Sequence, residues 1–271
     1  MFITFKPGPK GPPPPGSIDL LARGGTICYA YKDMIFTDSG IILFRQEFRE
    51  ADRIVSLYTR EHGRINARLP GVMRSAGKLK ALSEPFAFGD YRIYVRRGGV
   101  IGTVTGGKIT NIFPNIRGSL KRTALALHFC ELVQRLTPLH QPSEGKFELL
   151  CKALTELEYG EVNPAFQAAF TLRLMALAGF GLDRPVLKIS PEFWHRIHED
   201  ELSSLTFTEP EDLLALSKCN SVCRRFLSRY LAYPLNTLRN FTLEQDAPDM
   251  FDAEITEQDE AEITAAVRQP A

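Results

Sequence analysis

Between Phe36 and Phe113 the chain alternates apolar and polar residues with a period of two, and it does so in five runs. Alternation of that kind predicts half-buried β-strands, because successive side chains on a strand point to opposite faces. The first run, Phe36–Phe48, is β-branched and aromatic, and Gly40 interrupts it as a bulge would. The second, Asp52–Arg60, sets Ile54, Ser56 and Tyr58 against Arg53, Val55, Leu57 and Thr59. Glu61-His62-Gly63 then supplies a tight turn, since glycine takes positive φ without a Cβ clash. The third run goes from Arg64 to Val72, with Ile65, Ala67 and Leu69 on one side. In the fourth, Phe86–Arg97, Tyr91, Ile93 and Val95 oppose Arg92, Tyr94 and Arg96. Gly98-Gly99 makes the last turn, into a fifth run from Val100 to Phe113. Five short antiparallel strands in about 80 residues can close into a barrel, which removes exposed edges.

After Pro114 the period lengthens to about 3.6. Leu125, Phe129, Leu132, Val133 and Leu136 make one helical stripe, stopped by Pro138. A second helix is predicted over Gly145–Tyr159. A third opens at the N-cap pair Asn163-Pro164 and ends at Gly179. Ser190-Pro191 caps a short fourth helix. Thr208-Glu-Pro-Glu211 reads as a capping box for Asp212–Lys218, followed by a separate helix over Ser221–Tyr233. These helices need one another to bury their stripes. The fold class is therefore α+β and multi-domain, with a five-stranded barrel at 34–114 and an all-α domain at 115–243.

The remaining segments differ in composition. Residues 1–33 carry the Pro/Gly-rich run Lys6–Gly16 and are expected to be a disordered leader. We take Met34 as the natural start, an expectation that peptides from 1–33 in protein purified from its source would refute. Residues 244–271 hold nine acidic residues against Arg268, a net of −8, and are expected to be a disordered tail with a short helix near Glu260–Val267.

Charge is uninformative for the whole chain, at +1, but not for its parts. Residues 34–115 contain thirteen basic and seven acidic residues, a net of +6. A basic five-stranded barrel with exposed aromatics points to the OB-fold, whose curved face binds single-stranded nucleic acid. Arg64 and Arg68, the loop residues Arg74, Lys78 and Lys80, and Arg92, Arg96 and Arg97 are the candidate phosphate contacts. Tyr94 is placed to stack on a base. Arg224, Arg225 and Arg229 on the last helix could extend the path. The tail is then expected to compete with nucleic acid for these cations. Deleting 244–271 should tighten binding at low salt, and an unchanged titration would count against that expectation.

Chemistry of other kinds finds little support. Gly102–Lys108 has the spacing of a phosphate-binding loop, but Ile109 stands where a hydroxyl should hold magnesium, and the segment alternates like a strand. His195, His198, Cys219 and Cys223 could ligate zinc in pairs, although Cys219 and Cys223 fit helix packing better. Five cysteines in apolar surroundings argue against a disulfide framework and for a reducing compartment. No apolar run reaches the roughly 20 residues needed to span a bilayer. No motif for nucleophilic or acid–base catalysis occurs, so no enzyme activity and no cofactor are expected.

The run Gly40-Ile-Ile-Leu-Phe-Arg-Gln-Glu-Phe-Arg-Glu-Ala-Asp-Arg-Ile-Val-Ser-Leu-Tyr-Thr-Arg-Glu-His-Gly63 resembles the amino-terminal signature of RecO, the bacterial recombination-mediator family. Glu84-Pro85-Phe86 after a basic loop, and Leu172–Gly179, are similar to later landmarks, so the resemblance covers about 35–241. Many relatives carry a four-cysteine zinc element after the third helix, whereas this chain has no Cys between Cys151 and Cys219. The resemblance implies a non-catalytic cytoplasmic, nucleoid-associated mediator that binds single- and double-stranded DNA and anneals complementary strands. It also implies pairing with RecR, contact with the acidic C-terminal tail of single-strand-binding protein, and help in loading RecA. A general single-strand-binding OB module, for DNA or RNA, is the rival reading.

Overall fold

The computed structural model describes residues 34–74, 79–97, 99–182, 184, 187–231, 235 and 237, together with the backbone of two short strands at 17–20 and 28–31. Those strands, β1 (Ser17–Leu20) and β2 (Cys28–Tyr31), pair antiparallel with each other and were not among the elements the pattern predicts. The rest of the leader, loop residues 75–78 and the tail from 238 onward lie outside the described residues.

The five predicted runs become β3 (Met34–Phe48), β4 (Asp52–Thr59), β5 (Gly63–Leu69), β6 (Phe88–Val95) and β7 (Gly102–Asn111). They close in the order β3-β4-β5-β7-β6, with β6 returning to β3. Closure needs a staggered register, and β3 provides it by length. Its first half, Met34–Ile41, pairs with β6, and its second half, from Gly40 onward, pairs with β4. Gly40 is therefore not the bulge it was expected to be. It is the crossing point, opposite both Thr59 and Gly89, where an added Cβ would lie 2.9 Å from Leu57 Cδ1. Gly89 is equally constrained, since a Cβ there would run into the Lys108 carbonyl oxygen. The irregularity falls instead between Ile42 and Phe44, leaving Leu43 as the extra residue.

Ile42, Val55, Leu57, Ile65, Ala67, Leu69, Tyr91, Ile93 and Val104 fill the barrel, as the alternation predicts. The Tyr91 hydroxyl is buried with them and donates to the carbonyls of Leu82 and Ala87. Arg53, on the same side of β4 as Val55 and Leu57, is turned inward with them. It is 4% exposed and donates to Ser83 Oγ at 2.7 Å and to Glu84 Oε1 at 2.9 Å, where a 3-10 turn (Ala81–Ser83) meets the strands. The reason is parity: Arg53 lies two residues before Val55, so an inward Val55 carries it inward. Burial pushes the Glu84 carboxyl upward, but the bond from Arg53 and the nearby Arg45 outweigh this and hold it below its ordinary value.

The turn after β4 forms as predicted, with Gly63 at φ +69°. Asp38 locks it, accepting from the backbone N–H groups of Glu61 and His62 and contacting His62 Nδ1 at 2.9 Å.

Six helices follow among the described residues: α1 (Pro114–Gly118), α2 (Leu120–Leu136), α3 (Glu144–Tyr159), α4 (Pro164–Leu177), α5 (Pro191–Glu199) and α6 (Pro210–Tyr230). Asn163 occupies the N-cap of α4, yet its amide donates to Leu202 O instead of its side chain capping the helix. Ser190 does cap α5, accepting from Phe193 N. The expected break between Lys218 and Ser221 does not exist. Leu216, Cys219, Val222, Cys223, Phe226 and Leu227 are buried along one uninterrupted α6, because no Gly or Pro stops the stripe. Its N-cap is Glu209, with no side-chain cap, so the expected capping box does not form either.

The barrel and helices share a core. Ile41, Leu43, Tyr58 and Phe86 belong to the same apolar cluster as Phe129, Phe147 and Phe170. Tyr58 donates to Ser143 O, and Arg60 stands over the Phe147 ring at 4.9 Å. One part of the barrel's outer surface is thus consumed by the helices, and what remains outside it is the surface available for function.

Candidate nucleic-acid interface

Residues paired across adjacent strands point to the same face, so register alone says which side chains share a surface. One row runs round the outside of the barrel: Gln46 opposite Ile54, Ile54 opposite Arg68, Arg68 opposite Thr103, Thr103 opposite Tyr94, and Tyr94 opposite Ile35. Arg68 occupies the middle of it because β5 and β7 join there, through only two residue pairs. Arg92 lies one row further along β6, opposite Thr37 and Gly106, and Lys108 lies beyond it opposite Asp90. Arg96 and Arg97 continue from β6 into the turn toward β7 and are exposed. Leu82 of the 3-10 turn approaches Gly107 on the inner side of the barrel, and Lys80, which precedes that turn, is exposed.

The arginines sort into two kinds. Arg45 and Arg53 both engage Glu84, and Arg60 reaches Glu144 at 3.4 Å and Glu148 at 3.5 Å. Those charges are committed to holding the turn and the helices. Arg68 is loosely paired with Asp52 at 3.9 Å. Arg74, Lys80, Arg92, Arg96 and Lys108 are exposed and have no carboxylate within ion-pair distance among the described residues. An uncompensated cation on a surface is the feature that attracts a polyanion and releases its counterions.

The remaining candidates scatter. Arg64 is half-buried against the α2–α3 connection, where its carbonyl accepts from His140 N and burial pulls its guanidinium pKa down. Exposed Arg74 follows Met73, whose N–H binds the Ala51 carbonyl, so it lies near the β3–β4 turn. Lys78 lies outside the described residues. Arg224 and Arg229 are exposed and Arg225 half-buried on α6, which packs on α4 rather than on the barrel. Lys108 and Ile35 were missed by the sequence reading. From the sequence Lys108 reads only as one of the thirteen basic residues of the barrel, in a segment with the spacing of a phosphate-binding loop. That segment is strand β7, not a loop leading into a helix.

Among the described residues no group of three or more His, Cys, Asp or Glu is arranged to hold a metal ion. Cys219 and Cys223 are buried in the helical core, while His195 is exposed on α5 and His198 Nδ1 donates to Trp194 O. No helix among the described residues is long and apolar enough to cross a membrane.

Comparison with known proteins adds two matches that follow one another along the chain. Residues 34–113 match the family model for the recombination protein O N terminal, and residues 117–184 match that for the recombination protein O C terminal. Among relatives, the DNA repair protein RecO of Pelotomaculum thermopropionicum is 35% identical over 54% of this chain and 56% of its own length. That of Geobacter metallireducens is 34% identical over 52% and 57%. That of Dehalococcoides mccartyi is 26% identical over 86% and 88%. The chain thus spans little more than half the length of the first two.

Proposed function

The chain belongs to the RecO family, and from that premise we propose that it is a non-catalytic mediator of DNA repair whose barrel holds single- and double-stranded DNA and brings complementary strands together. The observation that carries the reading is the set of exposed cations Arg92, Arg96, Lys108 and Lys80, which have no carboxylate within ion-pair distance among the described residues, together with Tyr94 and the row through Arg68. Two DNA strands repel each other through their phosphates. A surface that neutralises both lowers that repulsion and needs no covalent step. Arg is suited to the task because its fork makes two parallel bonds to a phosphate.

Within this reading the protein works in the bacterial cytoplasm at the nucleoid. It acts with RecR, docks on the acidic C-terminal tail of single-strand-binding protein, and thereby helps RecA load onto coated strands. The helical domain would supply the docking groove, and exposed Arg224 and Arg229 on α6 are its cationic candidates. A general single-strand-binding module would share the barrel chemistry but would not associate with RecR.

The deciding experiment is annealing of complementary strands coated with single-strand-binding protein, followed by co-sedimentation with RecR. We expect annealing to be faster with the protein than without it, and faster still with RecR. Strand binding without annealing or RecR association would replace this reading with the general module. Turnover that requires a metal or nucleotide would replace it with an enzyme.

A further inference from the structure

The extra residue at Leu43 reverses the parity of β3. Up to Ile42 the even-numbered positions face the barrel interior. After the bulge Phe44, Gln46 and Phe48 pair with Ser56, Ile54 and Asp52, on the outer face. Two phenylalanines are therefore turned out of the core, 49% and 36% exposed. Phe48 carries the Arg49 guanidinium 5.1 Å from its ring centroid, and Gln46 between them begins the row that leads through Ile54 to Arg68.

We propose that Phe44 and Phe48 form a base-stacking platform for unpaired nucleotides, giving the barrel a preference for single strands that its charges cannot supply. The inference rests on the nucleic-acid reading above and adds the chemistry that separates single strands from duplexes. Phosphates are common to both, so the cations bind both. A base face is free only when the base is unpaired and unstacked. The two rings stand four residues apart on one strand face, about 13 Å at 3.3 Å per residue. In duplex DNA successive bases rise about 3.4 Å and cover one another, so no duplex offers two free faces at that separation. An extended single strand does, and its backbone would find Arg49 and Arg68 alongside. Asp52, the acidic residue opposite Phe48, is already held by Gly71 N at 2.8 Å and faces Arg68, which moderates its repulsion of phosphate.

The test uses the full chain with Phe44→Ala, Phe48→Ala and both, against the Phe44→Trp and Phe48→Trp versions. The probes are a single strand of about 20 nucleotides carrying 2-aminopurine and the same sequence as a duplex. We expect each alanine to weaken single-strand affinity about 10-fold at constant salt. Duplex affinity and the salt slope should stay unchanged, and the tryptophan variants should retain binding and quench the 2-aminopurine. Both side chains are exposed, so the alanine variants are expected to melt with the parent. Normal DNA binding by the parent, with alanine variants indistinguishable from it, overturns the platform and leaves the family reading intact. Equal losses on single strand and duplex overturn it as well. So does unchanged DNA affinity with altered self-association, which would assign the rings to a protein contact. A parent that binds neither probe removes the nucleic-acid reading itself.

Discussion

Replacing Arg92, Arg96 and Lys108 together by Glu is expected to weaken single-strand binding by more than 100-fold at about 50 mM salt. It should also make the plot of log affinity against log salt shallower by about 2, since each lost phosphate contact on a single strand removes about 0.7. Both outcomes come from one cause, the loss of released counterions, so a drop in affinity with an unchanged slope would contradict the account. All three side chains are exposed and lack carboxylate partners among the described residues. Surface changes of that kind cost little stability, and melting should move by only a few degrees. Arg60→Gln is the contrasting variant. Arg60 is also a barrel arginine with solvent access, but it already faces Glu144 and Glu148, so its removal should leave DNA affinity and slope nearly untouched. Fluorescence anisotropy of a labelled strand at several salt concentrations reads all of these.

That contrast also marks where sequence reasoning reached its limit. Alternation reveals strands because a barrel interior is apolar, and Val55, Leu57, Tyr91 and Ile93 appear inside as the pattern requires. It cannot say which of thirteen basic residues are compensated, because the compensating carboxylates come from distant positions. Glu84 lies 31 residues from Arg53, and Glu144 lies 84 from Arg60. Nor can it locate a bulge whose only trace is a shift of parity. Read without the irregularity at Leu43, Phe44 and Phe48 belong to the core and Arg45 to the surface; with it, their roles exchange. Gly40 drew the bulge assignment because glycine is common there, but close approach of two strand pairs explains the residue better. In the helical half the stripes were legible, whereas the junction near Asn220 was not: a run of polar residues resembles a loop until the buried Cys219 and Cys223 carry the stripe across it.

Acidification should destabilise the helical half well above the range in which carboxylates titrate, and His128 is the reason. It is 4% exposed on α2, and burial lowers its pKa to about 4, with Glu131 opposing the shift only in part. Thr237 donates to Glu131 from both its backbone and its hydroxyl, which leaves the hydroxyl oxygen to accept from His128 Nδ1 at 3.1 Å. The imidazole then takes the Nδ1–H tautomer, and Nε2 accepts from Gln167 Nε2 at 3.2 Å. A proton on Nε2 would set two donors against each other, so it can enter only by breaking that contact or turning the amide over. The unfolded chain has no such restriction and binds the proton near pH 6.5. Stability is therefore complete above pH 6.5 and is lost as the pH falls toward 4, by about 3 kcal/mol over the whole interval. That is a large share of a domain's usual 5–15 kcal/mol. His128→Gln should lower stability at pH 7, because it disturbs the bonds to Thr237 and Gln167, yet its stability should change much less between pH 7 and pH 5 than the parent's. Urea titrations at the two pH values separate these effects. Equal losses in both proteins would mean that the acid sensitivity arises elsewhere, and that Thr237 is held to α2 without help from the imidazole.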